Sequence, residues 1–193
     1  SLLCLGVNGL LFGFVSILSS SRNIKTILLE KGEHFVEDSD SIIKKKYLYI
    51  NSGGINIIGN KKYRDHEIVI NGGIYINEIK PLKNKYYKHD QAANTLTHCT
   101  NIENVTIRHS KGNGLFAKGP FSLNNVLFES CGMVGLEASG ICAVGLCTNV
   151  RSFFSGESGV LASHGASITL RGSNTSVQYN CMTQNSTDYG LSV

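Results

Sequence analysis

Three stretches of this 193-residue chain carry one pattern: NVTIRHSKGNGLFA at 104–117, NVLFESCGMVGLEA at 125–138 and NVRSFFSGESGVLA at 149–162. Each opens with Asn-Val and closes on Gly-(Leu/Val)-x-Ala, with the same internal spacing from Asn104 to Ala117, Asn125 to Ala138 and Asn149 to Ala162. A looser fourth copy begins at Asn174, runs through Val177-Gln178-Tyr179-Asn180 and reaches Gly190-Leu191-Ser192-Val193. Self-similarity at a nearly fixed period is the signature of a repeat architecture. Inside each copy apolar residues alternate, as in Val105/Ile107, Val126/Phe128, Leu115/Ala117, Leu136/Ala138 and Val160/Ala162. A third run follows each time: Phe121/Leu123, Val144/Leu146 and Ile168/Leu170. Period two is the mark of strands, and the glycine density excludes helical repeats. Three short strands with Gly, Asn and Ser corners, recurring roughly every 21–25 residues, predict one coil of an all-β parallel solenoid. Burial within one coil falls short of the entropy of ordering it, so coils must stack and their ends need caps.

Stacking lines up equivalent positions in columns about 4.8 Å apart. Asn104, Asn125, Asn149 and Asn174 then form a structural asparagine ladder at a turn. That reading makes two of the three glycosylation sequons, at Asn104 and Asn174, structural; the third is at Asn185. Arg108, Glu129, Phe153 and Gln178 fall on one outward column, which predicts an Arg108–Glu129 cross-layer pair.

Upstream, Ile27-Leu28-Leu29, Tyr47-Leu48-Tyr49-Ile50, Ile55–Gly59 and Ile68–Ile76 read as further strands, so the coils continue toward the N-terminus. Residues 77–97 lack periodicity and read as a loop inserted between coils. Residues 1–23 read as an apolar capping segment: there is no charge from Ser1 to Ser21, but Asn8 and three glycines through position 13 argue against a spanning helix. The absence of an initiator Met suggests a processed or excised chain.

Thr26-Ile27-Leu28-Leu29-Glu30-Lys31-Gly32-Glu33-His34-Phe35, Ile55-Asn56-Ile57-Ile58-Gly59 and Asn104-Val105-Thr106-Ile107 together resemble the opening coils of pectin-lyase-like proteins. The likeness covers residues 24–193. It implies a single-stranded right-handed parallel β-helix, with residues 7–21 as a helix that plugs the first coil. It specifies activity poorly, because such folds include polysaccharide lyases, hydrolases, esterases, viral spikes and noncatalytic repeat domains.

Composition narrows the choice. The net charge of +4 lies entirely in residues 1–95, with 13 Lys+Arg against 9 Asp+Glu, while residues 96–193 hold five of each. The basic clusters are interrupted by acids, which argues against nucleic acid as a partner. Acids from 96 onward (Glu103, Glu129, Glu137, Glu157 and Asp188) fall on different faces of the repeat, so neither paired carboxylates nor a Ca²⁺ cluster is expected. His98, His109 and His164 are too scattered for a metal site, and Ser163-His164-Gly165 reads as a polar corner. Six cysteines without a Cys-x-x-Cys pair read as small apolar residues. No cofactor and no catalytic residue is assigned.

The leading expectation is a noncatalytic structural or adhesive domain whose partner is a glycan or another protein. Tyr86, Tyr87 and His89 in the inserted loop, with outward Phe116 and Phe153, are the candidate stacking surface for sugar rings. The alternative is a polysaccharide-active enzyme using Glu78, Lys88, His89 or Asp90, and a third reading is a flat Ser/Thr flank that orders ice. Eighteen Ile, 18 Asn and 13 Lys against five Arg suggest an AT-rich genome, which fits a virus or protist source; no residue assigns a compartment, and a virion or extracellular surface is one setting that the resemblance allows. Exposed end coils leave room for a homo-oligomer, although no residue pattern marks a trimer interface.

Overall fold

A computed structural model of the chain describes residues 2–5, 25–36, 47–78, 99–183 and 189–193. Among them every strand pairing is parallel, in one 11-stranded and one six-stranded sheet, neither of which closes on itself. Helix is limited to one 3-10 turn, Asp65–Glu67, among the described residues.

The strands stack on three faces. The first carries Leu2–Leu5, Thr26–Leu29, Asn56–Gly59, the leading halves of Thr100–Arg108 and Phe121–Glu129, then Val144–Thr148 and Ser167–Arg171. The second carries Gly32–Phe35, Ile68–Asn71, the trailing halves of the same two long strands, Arg151–Phe153 and Ser176–Gln178. The third carries Tyr47–Ile50, Gly73–Ile76, Leu115–Ala117, Leu136–Ser139, Val160–Ser163 and Leu191–Ser192. From Thr26 onward the described strands visit the faces in this order six times, giving six layers among the described residues. In layers 3, 4 and 5 the register sets Thr106, Leu127 and Arg151 opposite one another, the alignment expected from the repeat.

The asparagines turn the first face into the second. Asn104, Asn125 and Asn149 have φ of 55°, 53° and 54°, a left-handed conformation that Asn tolerates better than branched or bulky residues. In layers 3 and 4 one residue of this kind bends a nine-residue strand so that its halves serve two faces. Asn125 Nδ2 donates to Asn104 Oδ1 at 2.8 Å, and Asn104 Nδ2 donates to the carbonyls of Asn60 and Tyr63. The fourth position differs. Asn174 is exposed, its backbone N–H donates to Asn149 Oδ1 at 3.3 Å, and the left-handed residue at this corner is Gly172, with φ of 97°.

Inward columns form one continuous core. Ile27, Ile57, Ile102, Leu123 and Cys147 stack on the first face, Ile70, Ile107 and Phe128 on the second, and Ile74, Leu115, Leu136 and Val160 on the third. One strand is phased differently from the sequence reading. Phe121 stands opposite Gly145 and Leu123 opposite Cys147, so Val144 and Leu146 point outward, 46% and 39% exposed. The Phe121 ring occupies the space that a side chain at 145 would take, and a strand offset by one residue presents its other set to solvent.

Outside the second face, the segment from Asn60 to Glu67 folds back over the stack. Its 3-10 turn is held by Glu67, whose carboxylate accepts the Arg64 N–H at 3.0 Å. Thr106 Oγ1 donates to the Asp65 carbonyl, and the Asp65 carboxylate, 7% exposed, receives Arg151 from three layers further on. At the N-terminal end, Leu2–Leu5 is a strand paired with Thr26–Leu29. The remainder of the 1–23 capping segment, including the helix expected over 7–21, and almost all of the 77–97 loop lie outside the described residues.

Candidate functional site

Solvent-facing residues of the third face fall in two neighbouring columns. Strand register aligns Tyr49, Tyr75, Phe116, Glu137 and Leu161 in one. Two positions along each strand the second column runs Asn51, Asn77, Lys118, Ser139 and Ser163, continued by the bonds Asn77 N–H to Ile50 carbonyl and Lys118 N–H to Ile76 carbonyl. Ring centroids of Tyr49 and Tyr75 are 5.2 Å apart and those of Tyr75 and Phe116 5.1 Å, each pair tilted. Tyr49 is 42% exposed; Tyr75 and Phe116 are half-buried. Beside the rings, Asn77 Nδ2 donates to Asn51 Oδ1 at 3.2 Å, and the Lys118 ammonium lies 5.7 Å from the Phe116 centroid. Aromatic faces next to amides and a cation offer CH–π stacking together with hydroxyl recognition.

Tyr47 buttresses this row. Its ring meets Tyr49 and Tyr75 edge-on, both at 6.2 Å, and lies over Gly73, where a Cβ would collide with it. The phenol oxygen accepts the Asn113 N–H at 2.8 Å. Burial pushes the Tyr47 phenol above its ordinary value; the nearby Glu137 carboxylate adds to this, and the Asn113 bond works against it. Asn113 Nδ2 in turn donates to Glu137 Oε2, and Asn113 Oδ1 accepts the Val134 N–H. One asparagine thereby fixes both the edge of the aromatic row and the carboxylate that follows it.

Comparison with family models, curated proteins and solved structures returned no match.

Of the five residues expected to stack sugars, Phe116 lies in this row. Phe153 is on the second face, in the outward column with Glu129 and Gln178, and its ring neighbour is Phe154 at 6.4 Å. The two do not share a surface. Tyr86, Tyr87 and His89, with Lys88 and Asp90 of the enzyme alternative, lie outside the described residues. Glu78 is exposed at the start of that loop, and Cys142 Sγ approaches its carboxylate at 3.8 Å. Sequence reasoning takes Tyr49 and Tyr75 only as strand residues. The signal that finds them is the spacing Tyr49-Ile50-Asn51 against Tyr75-Ile76-Asn77, a duplicate of the outward pair.

Four acids among the described residues are dispersed and engaged. Glu103 meets Lys61 at 3.0 Å and accepts from Asn124; Glu129 holds Arg108 Nε at 2.7 Å, the cross-layer pair expected from the repeat. Glu137 is bound by Asn113, and Asp65 by Arg151. These four stand on the first, second and third faces and in the covering turn. His164 occupies a left-handed corner, φ 54°, with Nδ1 near the hydroxyls of Ser139 and Ser163. Among the described residues no three His, Cys, Asp or Glu side chains converge as metal ligands would, and no helix is long and apolar enough to cross a membrane.

Proposed function

We propose that this chain is a noncatalytic, right-handed parallel β-helix of the pectin-lyase-like kind, a structural or adhesive domain of a viral or cell-surface assembly that binds glycan on its third face. The observation that carries this reading is the aromatic column Tyr49–Tyr75–Phe116 beside the polar column Asn51–Asn77–Lys118. Six parallel layers around one apolar core suit a β-helix, and the dispersal of Glu103, Glu129, Glu137 and Asp65 among separate partners suits binding without hydrolysis. The competing reading, a polysaccharide lyase or hydrolase, draws on Glu137 at the end of the aromatic row.

A panel of neutral and acidic polysaccharides, followed for binding and for new reducing or unsaturated ends, separates the two. Binding without new ends is expected, with Tyr49→Ala and Tyr75→Ala each weakening it about two- to tenfold, the worth of one aromatic contact. New chain ends abolished by Glu137→Gln would establish the enzyme instead. Binding that both tyrosine variants leave unchanged would remove the site from the third face.

A further inference from the structure

Resting on the glycan reading above, we infer that the third face takes a linear, extended glycan lengthwise, parallel to the stacking axis, with one sugar per layer and three ring subsites. The three rings belong to successive layers, and their centroid steps of 5.2 and 5.1 Å are close to the layer spacing of about 4.8 Å. A β-1,4-linked pyranose chain advances by nearly the same distance per sugar. Its units, each with an apolar face, can therefore meet Tyr49, Tyr75 and Phe116 in turn, each sugar rotating about its linkages to follow ring planes inclined by 37° and 54° from one layer to the next.

The polar column fixes direction as well as register. Asn51, Asn77 and Lys118 sit one per layer beside one ring each, so every sugar that stacks also meets an amide or an ammonium at its rim. A chain lying along a single layer, at right angles to the stacking axis, would meet one ring and one polar group, and the other layers would contribute nothing. The row is bounded as well. In layer 4 the column changes from a ring to the Glu137 carboxylate, and in layer 5 to Leu161, so a fourth sugar gains no further aromatic partner. Branched glycans, whose side units would strike the polar row, are the disfavoured class.

Isothermal titration of the full 193-residue chain with cello- and chito-oligosaccharides of one to five units reads this directly. Affinity is expected to climb about two- to tenfold with each unit up to three, the range of one added aromatic contact, and to level off at four and five. Phe116→Ala should erase the third step while leaving the first two. Phe116→Leu, which keeps the bulk, should lose the same step with the fold intact by thermal melt. Affinity already saturated by the monosaccharide, with Tyr49→Ala still damaging, would overturn the lengthwise arrangement and leave glycan binding standing. Silence toward every oligomer and toward the polysaccharide panel alike would overturn both.

Discussion

A Cβ on Gly114 would sit 2.6 Å from the carbonyl oxygen of Gly135, one on Gly135 the same distance from Gly159, and one on Gly159 2.8 Å from Gly190. The glycine of the repeat is thus there for close approach between layers, and none of these four has the positive φ that would otherwise favour it. Gly135→Ala is expected to cost about 1–3 kcal/mol, the range for overpacking a filled site, read as a lowered midpoint in urea. The corner asparagines answer to a different constraint. Asn125→Gly relieves the left-handed strain but loses the bond to Asn104, whereas Asn125→Ala loses the bond and keeps the strain. The alanine variant should therefore be the less stable of the two, by about 1 kcal/mol. Equal stability of the two would show that the backbone conformation carries no strain there.

Packing between strands sets the register. Phe121 opposite Gly145 is a large–small pair in one inward column. Gly145→Ala alone should destabilise by about 1–3 kcal/mol, and much less in a Phe121→Leu background, because the shorter side chain vacates the contested space. A double-mutant cycle by denaturant unfolding measures the coupling, and simple additivity would contradict the pairing. This same pair explains where sequence reading misses. Val144 and Leu146 read as the inward set because they are apolar, yet Gly145 and Cys147 are inward, since the volume at 145 is supplied by a ring from the preceding layer. The Asn and Gly columns are legible because each residue type answers a local backbone demand that recurs from layer to layer. Tyr49 and Tyr75 are not. They lie in layers whose register sets Thr26 opposite Asn56 and Asn56 opposite Asn101, offsets unequal enough to hide the period. The Asp65–Arg151 contact joins a turn to a strand three layers away, and spacing carries no signal for it.

Across the whole molecule each layer is held by its neighbours, and the buried ionisable groups report on the integrity of the stack. Burial pushes the Cys131 and Cys147 thiols up to about 12 from an ordinary 9.0, and raises the Tyr47 phenol as well. All three are kept neutral by the fold. Exposed Cys4 and Cys142 should therefore take up a thiol reagent in the folded chain, while Cys131 and Cys147 react only as denaturant opens the layers. Linkage gives the pH dependence. A group whose folded pKa exceeds its unfolded one binds more protons when folded in the interval between the two, so its contribution is complete below about pH 9 and is lost as pH rises toward 12. The melting temperature is accordingly expected to hold level from pH 7 to about 8.5 and to fall steadily above it. Cys147→Ala should reduce the slope of that fall, because it removes one of the protons exchanged, even though the smaller side chain lowers stability at neutral pH. An unchanged slope in the variant would mean that the thiol already meets solvent in the folded state.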